Sequence, residues 1–487
     1  MSKKPNILFI MTDQQRHDAI GYRNPEVLTP HLDRLAAESV VFTNGYTSNP
    51  SCIPARAAIF TGRYPSQCGA PTYMTPLPDY EQTFMSILRD NGYHTAVIGK
   101  QHFWKTKVDK GYDYMDIVDE HFPPKVISKE LDEREFGLPQ HLTVSDRVSS
   151  YVSFLADSGF TEGAQLFEKV GATKEVYRWK VEEKYHIDAY VGNRGVEWIQ
   201  NSRPSEPWFL TLSFPGPHTP FDGIGLPDEA LYDESKLSLP TTEPEDIFKK
   251  PGHFQSLLRR YCEIDPEAKK IVSRMSDDEL RLMRKSYYAN VTLIDRKVGE
   301  VVEALKSAGE YDNTMIIYLS DHGDFMGDFG MAQKMQCVSE QLMRIPYFIK
   351  PPVAGFEGYR EESFVSSVEV AATCLTAGGI EVPGNMSPRS LTQFFDKDGE
   401  PERWEDIYLE ARDIRGIRSK QYKLVYYAER EYGELYDLLN DPEERDNLWS
   451  REDLQSVKQE LMKRLMDRII QIGQNVHVIW HPSVPAI

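Results

Sequence analysis

The stretch Asn6-Ile7-Leu8-Phe9-Ile10-Met11, closed by Thr12-Asp13-Gln14-Gln15, sets the reading of the fold. Its apolar run, with β-branched and aromatic residues, predicts a strand buried on both faces. The pattern recurs three times. TAVI at 95–98 ends in Gly99-Lys100-Gln101-His102, and WFLTLSF at 208–214 ends in Pro215-Gly216-Pro217-His218. TMIIYLS at 314–320 ends in Asp321-His322-Gly323-Asp324. Helical spacing lies between these runs. A helix is expected over 29–42, with Thr29 as N-cap and Pro30 at its first position, followed by a loop over 43–51. Others are expected over 83–91, stopped by Gly92, over 277–308, stopped by Gly309, and over 363–377 before Gly378-Gly379. Strands alternating with helices predict a mostly parallel, doubly wound α/β sheet flanked by helices.

After about residue 385 the rhythm changes. YKLVYY at 422–427 and ELYDL at 434–438 read as paired antiparallel strands, followed by a helix with Leu454, Val457, Leu461, Leu465 and Ile469 on one stripe. The expected organisation is an α/β domain over 1–385 and a smaller C-terminal α+β subdomain over 386–487. Two long polar stretches, roughly 121–190 and 222–285, interrupt the α/β pattern as insertions that shape a binding site or an interface.

Composition narrows the class. At 487 residues, with 40% hydrophobic and 27% charged residues, the chain reads as a globular protein with an ample core. A formal charge of −19 excludes nucleic acid or an anionic membrane as expected partners. An anionic substrate would need positive charge gathered locally. The five cysteines, Cys52, Cys68, Cys262, Cys337 and Cys374, show no CxxC spacing, which argues for a reducing compartment. The apolar run behind Lys3-Lys4 is too short for a signal h-region or a membrane span. The expectation is therefore a cytoplasmic protein.

The chemistry gathers at the strand ends. In an open α/β sheet the carboxyl ends of parallel strands share one edge, where ligands bind. Asp13-Gln14, Lys100 with His102, His218 and Asp321-His322 are thereby directed to one crevice. Each alone has a plainer reading as cap, turn or surface residue; four such endings on one edge are hard to attribute to capping. Asp13, Gln14, Asp321 and His322 are mostly oxygen donors with one imidazole, a set that suits Ca²⁺, Mg²⁺ or Mn²⁺. Cys52, in Ser51-Cys52-Ile53-Pro54-Ala55-Arg56, opens a predicted helix whose free N–H groups favour an anion. Taken alone it reads most simply as a buried thiol. As a soft ligand it fits such a metal site poorly, and an oxygen on its Cβ would fit better.

Over nearly its whole length the chain resembles a type I sulfatase of the alkaline phosphatase superfamily. The resemblance rests on Thr12-Asp13-Gln14, Cys52-Ile53-Pro54-Ala55-Arg56 with Thr61-Gly62-Arg63, Gly99-Lys100-Gln101-His102, Pro217-His218-Thr219-Pro220, Ser320-Asp321-His322-Gly323-Asp324, Lys334 and Arg344-Ile345-Pro346. The ending with Glu434-Leu435-Tyr436-Asp437-Leu438 and Asn440-Asp441-Pro442 belongs to it too. It implies an alkaline-phosphatase-like, doubly wound mixed sheet flanked by helices. It also implies Cys52 converted to formylglycine (3-oxoalanine) by a formylglycine-generating or radical maturation enzyme, and one divalent metal, Ca²⁺ before Mn²⁺ or Mg²⁺. The metal ligands would be Asp13, Gln14, converted Cys52, Asp321 and His322. One hydroxyl of the aldehyde hydrate would attack the sulfur of a sulfate monoester. Lys100 and Lys334 would hold the sulfate oxygens, and His218 or Lys334 would protonate the leaving alcohol. His102 would assist loss of the second hydroxyl's proton, and Arg56 would hold the hydrate.

Departures qualify the resemblance. Gln14 and His322 stand where many members have Asp and Asn. That version is similar to choline-sulfatase-like enzymes and to phosphonate monoester or phosphodiester hydrolases. Lys100 with His102 resembles the sulfatase pattern instead. Ala55 replaces a commoner serine, and Cys68, which stands where histidine is frequent, has no assigned role. Three functions follow in rank: a sulfatase acting on a small sulfated substrate, a carbohydrate sulfate first; a phosphonate monoester or phosphodiester hydrolase; and a non-catalytic sulfo-ligand binder. The insertions and C-terminal loops are expected to select the alcohol. Arg412, Arg415 and Arg418 read equally well as pocket residues and as surface charge.

Overall fold

The structure is a computed structural model that describes residues 4–103, 109–118, 150–160, 162–171, 176–257 and 275–474. The principal sheet has eight strands: β1 (Asn6–Asp13), β2 (Val40–Tyr46), β3 (His94–Gly99), β4 (Tyr114–Ile117), β7 (Trp208–Pro217), β9 (Thr314–Ser320), β10 (Tyr347–Lys350) and β11 (Tyr359–Ser366). Their order is β11-β2-β10-β9-β1-β7-β3-β4. β9, β1, β7, β3 and β4 run parallel, while β10 runs antiparallel to both β9 and β2. The sheet is therefore mixed, as the resemblance implies. The four strands whose ends carry the candidate residues lie side by side as β9-β1-β7-β3.

Alternation along β1 serves two cores. Leu8 and Ile10 pack with Leu32 of α1 (Pro30–Ala37), Val191 of α4 (Ile187–Glu197) and Leu293 of α5 (Asp277–Ser307). Ile7, Phe9 and Met11 pack on the other face with Phe60 of α2 (Cys52–Thr61), Leu88 of α3 (Phe84–Asp90) and Leu375 of α6 (Val370–Ala377). Every residue of β1 is buried, as its continuous apolar run requires.

Two expected helices are shorter, and each yields a strand. The helix expected over 29–42 ends at Ala37. Val40-Val41-Phe42 then enters β2, where 43–51 was expected to be loop. β-branched residues pack well on a pleated surface, and here β10 and β11 supply the pairing partners. The helix expected over 363–377 begins only at Val370, because Ser363-Phe364-Val365-Ser366 completes edge strand β11. The helix at 83–91 starts from Thr83, whose hydroxyl accepts from Ser86 N, and α5 ends at Ser307, two residues before Gly309.

The second region holds four antiparallel strands where two were expected: β12 (Asp406–Ala411), β13 (Ile414–Ser419), β14 (Tyr422–Tyr427) and β15 (Gly433–Asp437). Leu461 and Leu465 of α7 (Gln455–Gln474) cover this sheet on one side, and Ala58 of α2 reaches the same cluster. Parts of both expected insertions, 121–149, 161 and 172–175 of the first and 258–274 of the second, lie outside the described residues. A small sheet forms from β5 (Phe167–Lys169), β6 (Val176–Trp179) and β8 (Phe221–Ile224). Among the described residues no helix is long and apolar enough to cross a membrane.

One close approach sets the position of Lys100. Gly99 ends β3 at φ 106°, and a Cβ there would stand 1.9 Å from Ser213 O of β7. The same carbonyl accepts from Lys100 N at 2.9 Å. Gly99→Ala is expected to cost at least about 2 kcal/mol in chemical denaturation and to displace Lys100. Unchanged stability would contradict this account of the strand end.

Candidate active site

Asp13 closes β1 and Asp321 follows β9, so the parallel pairing of these two strands brings their carboxylates together. Arg56, one turn into α2 and fully buried, lies against both. Its Nε donates to Asp321 Oδ2 at 2.8 Å and its Nη2 to Asp13 Oδ2 at 3.2 Å. Nη1 donates to Lys100 O at 2.8 Å and to Ser213 Oγ at 3.0 Å. Lys100 Nζ completes the arrangement, 2.5 Å from Asp13 Oδ2. The outer oxygens of both carboxylates are thus held by cations. The inner oxygens turn towards Cys52 and His322. Asp13 Oδ1 lies 3.6 Å from Cys52 Sγ, and each aspartate's Oδ1 lies 3.8 Å from His322 Nε2.

His322 is oriented from behind. Its Nδ1 faces Gly323 O at 2.9 Å, which leaves Nε2 pointing at Cys52 Sγ, 3.1 Å away. Donor atoms of Asp13, Cys52, Asp321 and His322 all lie within 4.8 Å of one another, and all four residues are buried. Separations of 3.1–3.8 Å match ligands about 2.3–2.6 Å from a shared cation at roughly right angles. The two carboxylates and the imidazole fit a hard divalent ion, whereas the Cys52 sulfur, a soft donor, does not.

Gln14 stands beside this set at φ 69°, a left-handed conformation that a non-glycine residue keeps only when its surroundings hold it. Tyr287 OH donates to its carbonyl at 2.7 Å, and its N–H donates to Asp321 Oδ1 at 3.1 Å. Its side-chain Nε2 donates to Asp324 Oδ2 at 2.5 Å, so Oε1 faces Lys334 Nζ at 2.6 Å. Lys334 also lies 2.5 Å from His218 Nε2, while His218 Nδ1 faces Thr219 O at 2.6 Å. His102 follows β3 at φ 60°, its ring edge-to-face with Tyr73 at 5.7 Å. His102, His218 and Lys334 are half-buried, whereas the metal-type donors are shut in. The half-buried groups form the side that a substrate can reach.

The electrostatics match this division. Burial opposes the charge on Asp13, but Lys100, His218, Arg56 and Lys334 outweigh it and hold the carboxyl well below its usual range. Burial and Asp13 push the Cys52 thiol up, yet Lys334, His322 and Lys100 bring it below its usual value. Lys334 loses hydration, but Cys52, Asp13 and Asp321 push it up to about 12.

Four contributors escaped the sequence reading. Asp324 was legible in Asp321-His322-Gly323-Asp324, but a turn accounts for that string equally well. Ser213 accepts from Arg56, Tyr287 holds Gln14, and Gln336 Nε2 donates to Ser51 Oγ at 2.8 Å. None of these three belongs to a local motif. Arg418 is buried beside Glu340, at 3.6 Å, rather than a surface charge. Cys68 is buried, its thiol pushed up to about 11 by desolvation. Cys262 lies outside the described residues.

The sequence pattern of the sulfatase family matches residues 5–380. The chain belongs to the sulfatase family. A second match, to the C-terminal region of N-sulphoglucosamine sulphohydrolase, covers 327–471. This sulfatase is 28% identical over 463 residues to an arylsulfatase of Clostridium perfringens, covering 92% of this chain and 91% of the relative. It is 26% identical to an N-acetylglucosamine-6-O-sulfatase of Bacteroides thetaiotaomicron, covering 97% of this chain and 88% of that one. A phosphonate monoester hydrolase from Silicibacter pomeroyi shares its fold, with a TM-score of 0.78, 21% identity and coverage of 96% and 95%. The fold is thus alkaline-phosphatase-like, and the enzyme is a hydrolase of sulfate esters.

Arg56→Gln leaves two buried carboxylates short of their shared cation. It is expected to lower the unfolding free energy by about 3–5 kcal/mol, read by urea denaturation in chelator. A loss below about 1 kcal/mol would contradict the pairing described above.

Proposed function

We propose that this sulfatase hydrolyses the sulfate monoester of a carbohydrate or small alcohol, using formylglycine derived from Cys52 and one divalent cation. The observation that carries the reading is the convergence of Asp13 Oδ1, Asp321 Oδ1, His322 Nε2 and Cys52 Sγ at the N-terminus of α2. Asp13, Gln14, Asp321, His322 and the converted Cys52 would hold the cation, with Ca²⁺ the first candidate because most of the donors are oxygens. When bound, the cation supplies Lewis acidity, and the aldehyde hydrate supplies an oxygen nucleophile. Cys52 is 1% exposed, so a maturation enzyme would act on it before the chain closes.

The remaining steps belong to this chain's own side chains. Arg56 fixes both aspartates through their outer oxygens, so the donor set does not reorganise during the reaction. Lys100 and Lys334 bind sulfate oxygens where negative charge grows in the transition state. The proton taken up by the leaving alcohol is held between His218 Nε2 and Lys334 Nζ, 2.5 Å apart. As the sulfur–oxygen ester bond breaks, its electron pair stays with the leaving oxygen and the proton joins it. His102 accepts a proton in the second half-reaction. The likeness to an N-acetylglucosamine-6-O-sulfatase and the C-terminal match favour a sugar sulfate.

A second reading, hydrolysis of phosphonate monoesters or phosphodiesters, draws on Gln14 and His322 and on the shared fold. Lys100 followed by His102 favours sulfate. Matched 4-nitrophenyl sulfate and phenylphosphonate esters separate the two; sulfate turnover is expected to dominate, and a faster phosphonate reaction would reverse the ranking. Cys52→Ala is expected to lower turnover by about 10³-fold or more, excluding a binding-only protein. Chelation is expected to abolish turnover, with recovery on adding back Ca²⁺, Mn²⁺ or Mg²⁺; full activity in chelator would contradict the metal assignment.

A further inference from the structure

Three buried ionisable groups stand outside the site described above, and the chemistry uses none of them. Asp188 is 1% exposed, His186 0% and Asp222 8%. Burying such groups costs free energy that an apolar cluster of similar volume would not. Their placement gives a reason to keep them. All three bear on the segment from Gly216 to Gly223, which carries His218.

Asp188, in the first turn of α4, accepts from Gly216 N through Oδ1 at 2.9 Å, two residues before His218. Its Oδ2 accepts from Asn290 Nδ2 of α5 at 3.0 Å. His186 caps α4, with Nδ1 accepting from Asp188 N at 3.2 Å. Its Nε2 lies 3.2 Å from Asp222 Oδ1, four residues after His218, a charge-pair distance without hydrogen-bond alignment. Ser286, one turn before Asn290 on α5, donates to Phe221 O at 2.7 Å and accepts from Gly223 N at 3.1 Å. A Cβ on Gly216 would stand 2.3 Å from both Asn290 Oδ1 and Asp188 Oδ2, so the backbone is drawn as close to these side chains as glycine permits. The segment is thus held on both sides of His218, by side chains of two packed helices.

We propose that Asp188, His186 and Asp222 form a clamp that positions His218 for proton delivery to the leaving oxygen. The inference rests on the reading of His218 as part of the proton donor. These are positioning residues: each acts through the backbone that carries His218. A shift of about 1 Å in a proton donor is enough to cost a large part of its contribution. The loss falls on substrates that need the proton. An ester of a strongly acidic phenol departs without it, whereas an ester of a weakly acidic alcohol does not.

The test compares converted, metal-loaded enzyme on 4-nitrophenyl sulfate and phenyl sulfate. His218→Asn sets the reference, with the phenyl ester expected to lose at least about tenfold more than the nitrophenyl ester. Asp222→Ala and Asp188→Ala are expected to show the same selective loss, with bound-cation stoichiometry unchanged. Asp222→Asn and Asp188→Asn, which keep an oxygen acceptor in place, are expected to restore most of it. Where Asp188→Ala does not fold, Asp222→Ala, at the more exposed end of the clamp, decides alone. Equal losses on the two esters, or none, in the clamp variants while His218→Asn is selective would overturn the clamp. If His218→Asn is not selective, the donor role fails and the clamp's purpose with it, while wild-type turnover of both esters leaves the sulfatase reading intact.

Discussion

The buried guanidinium of Arg56 is the constraint on which the site depends. Two carboxylates brought together in the core repel each other and lose their hydration, a combination that would drive one to take up a proton. Arg56 donates to an oxygen of each, and Lys100 adds a second cation on Asp13. The effect is geometric as well as electrostatic. With the outer oxygens engaged, the inner ones face Cys52 and His322, and that of Asp321 also accepts from Gln14 N. The donor atoms are thereby held in one cluster that could hold a cation.

The fold makes this pairing possible by simple means. Parallel pairing of β9-β1-β7-β3 aligns four carboxyl ends, and helix α2 starts on the same edge with Cys52 in its first turn. The close contact at Gly99 and the left-handed turn at Gln14 then direct side chains inward from strand ends that would otherwise splay. The C-terminal region closes the side that carries Lys334 and Gln336. Lys423 Nζ donates to Val338 O at 2.7 Å, and Glu444 accepts from Ser339 Oγ and Glu340 N at 3.2 Å each.

Much of this was legible in the sequence because each strand end carries its chemistry within four residues of an apolar run. Asp13, Lys100, His218 and Asp321 needed only the rule that parallel strands share an edge. β2 and β11 were hidden because Val40-Val41-Phe42 and Phe364-Val365 abut helical segments, and a short apolar run looks alike in either state. Two of the four C-terminal strands, β12 and β13, were missed for a related reason: their alternation is diluted by Glu410, which pairs with the half-buried Arg415, and by Arg418, which is buried beside Glu340. Asp324, Ser213 and Tyr287 act through contacts that span long stretches of chain, and no local pattern announces such partners. The metal-type cluster was visible as residue types. That its oxygens converge became visible only with Arg56 in place.

The central claim is that Cys52 is a precursor and that the working side chain carries oxygen. Peptide mass spectrometry of turnover-competent enzyme across Ser51 to Arg56 tests it directly. The account predicts that residue 52 has lost its sulfur and gained an aldehyde oxygen, in a fraction that tracks specific activity between preparations. Full activity with residue 52 entirely as the unmodified thiol would contradict it.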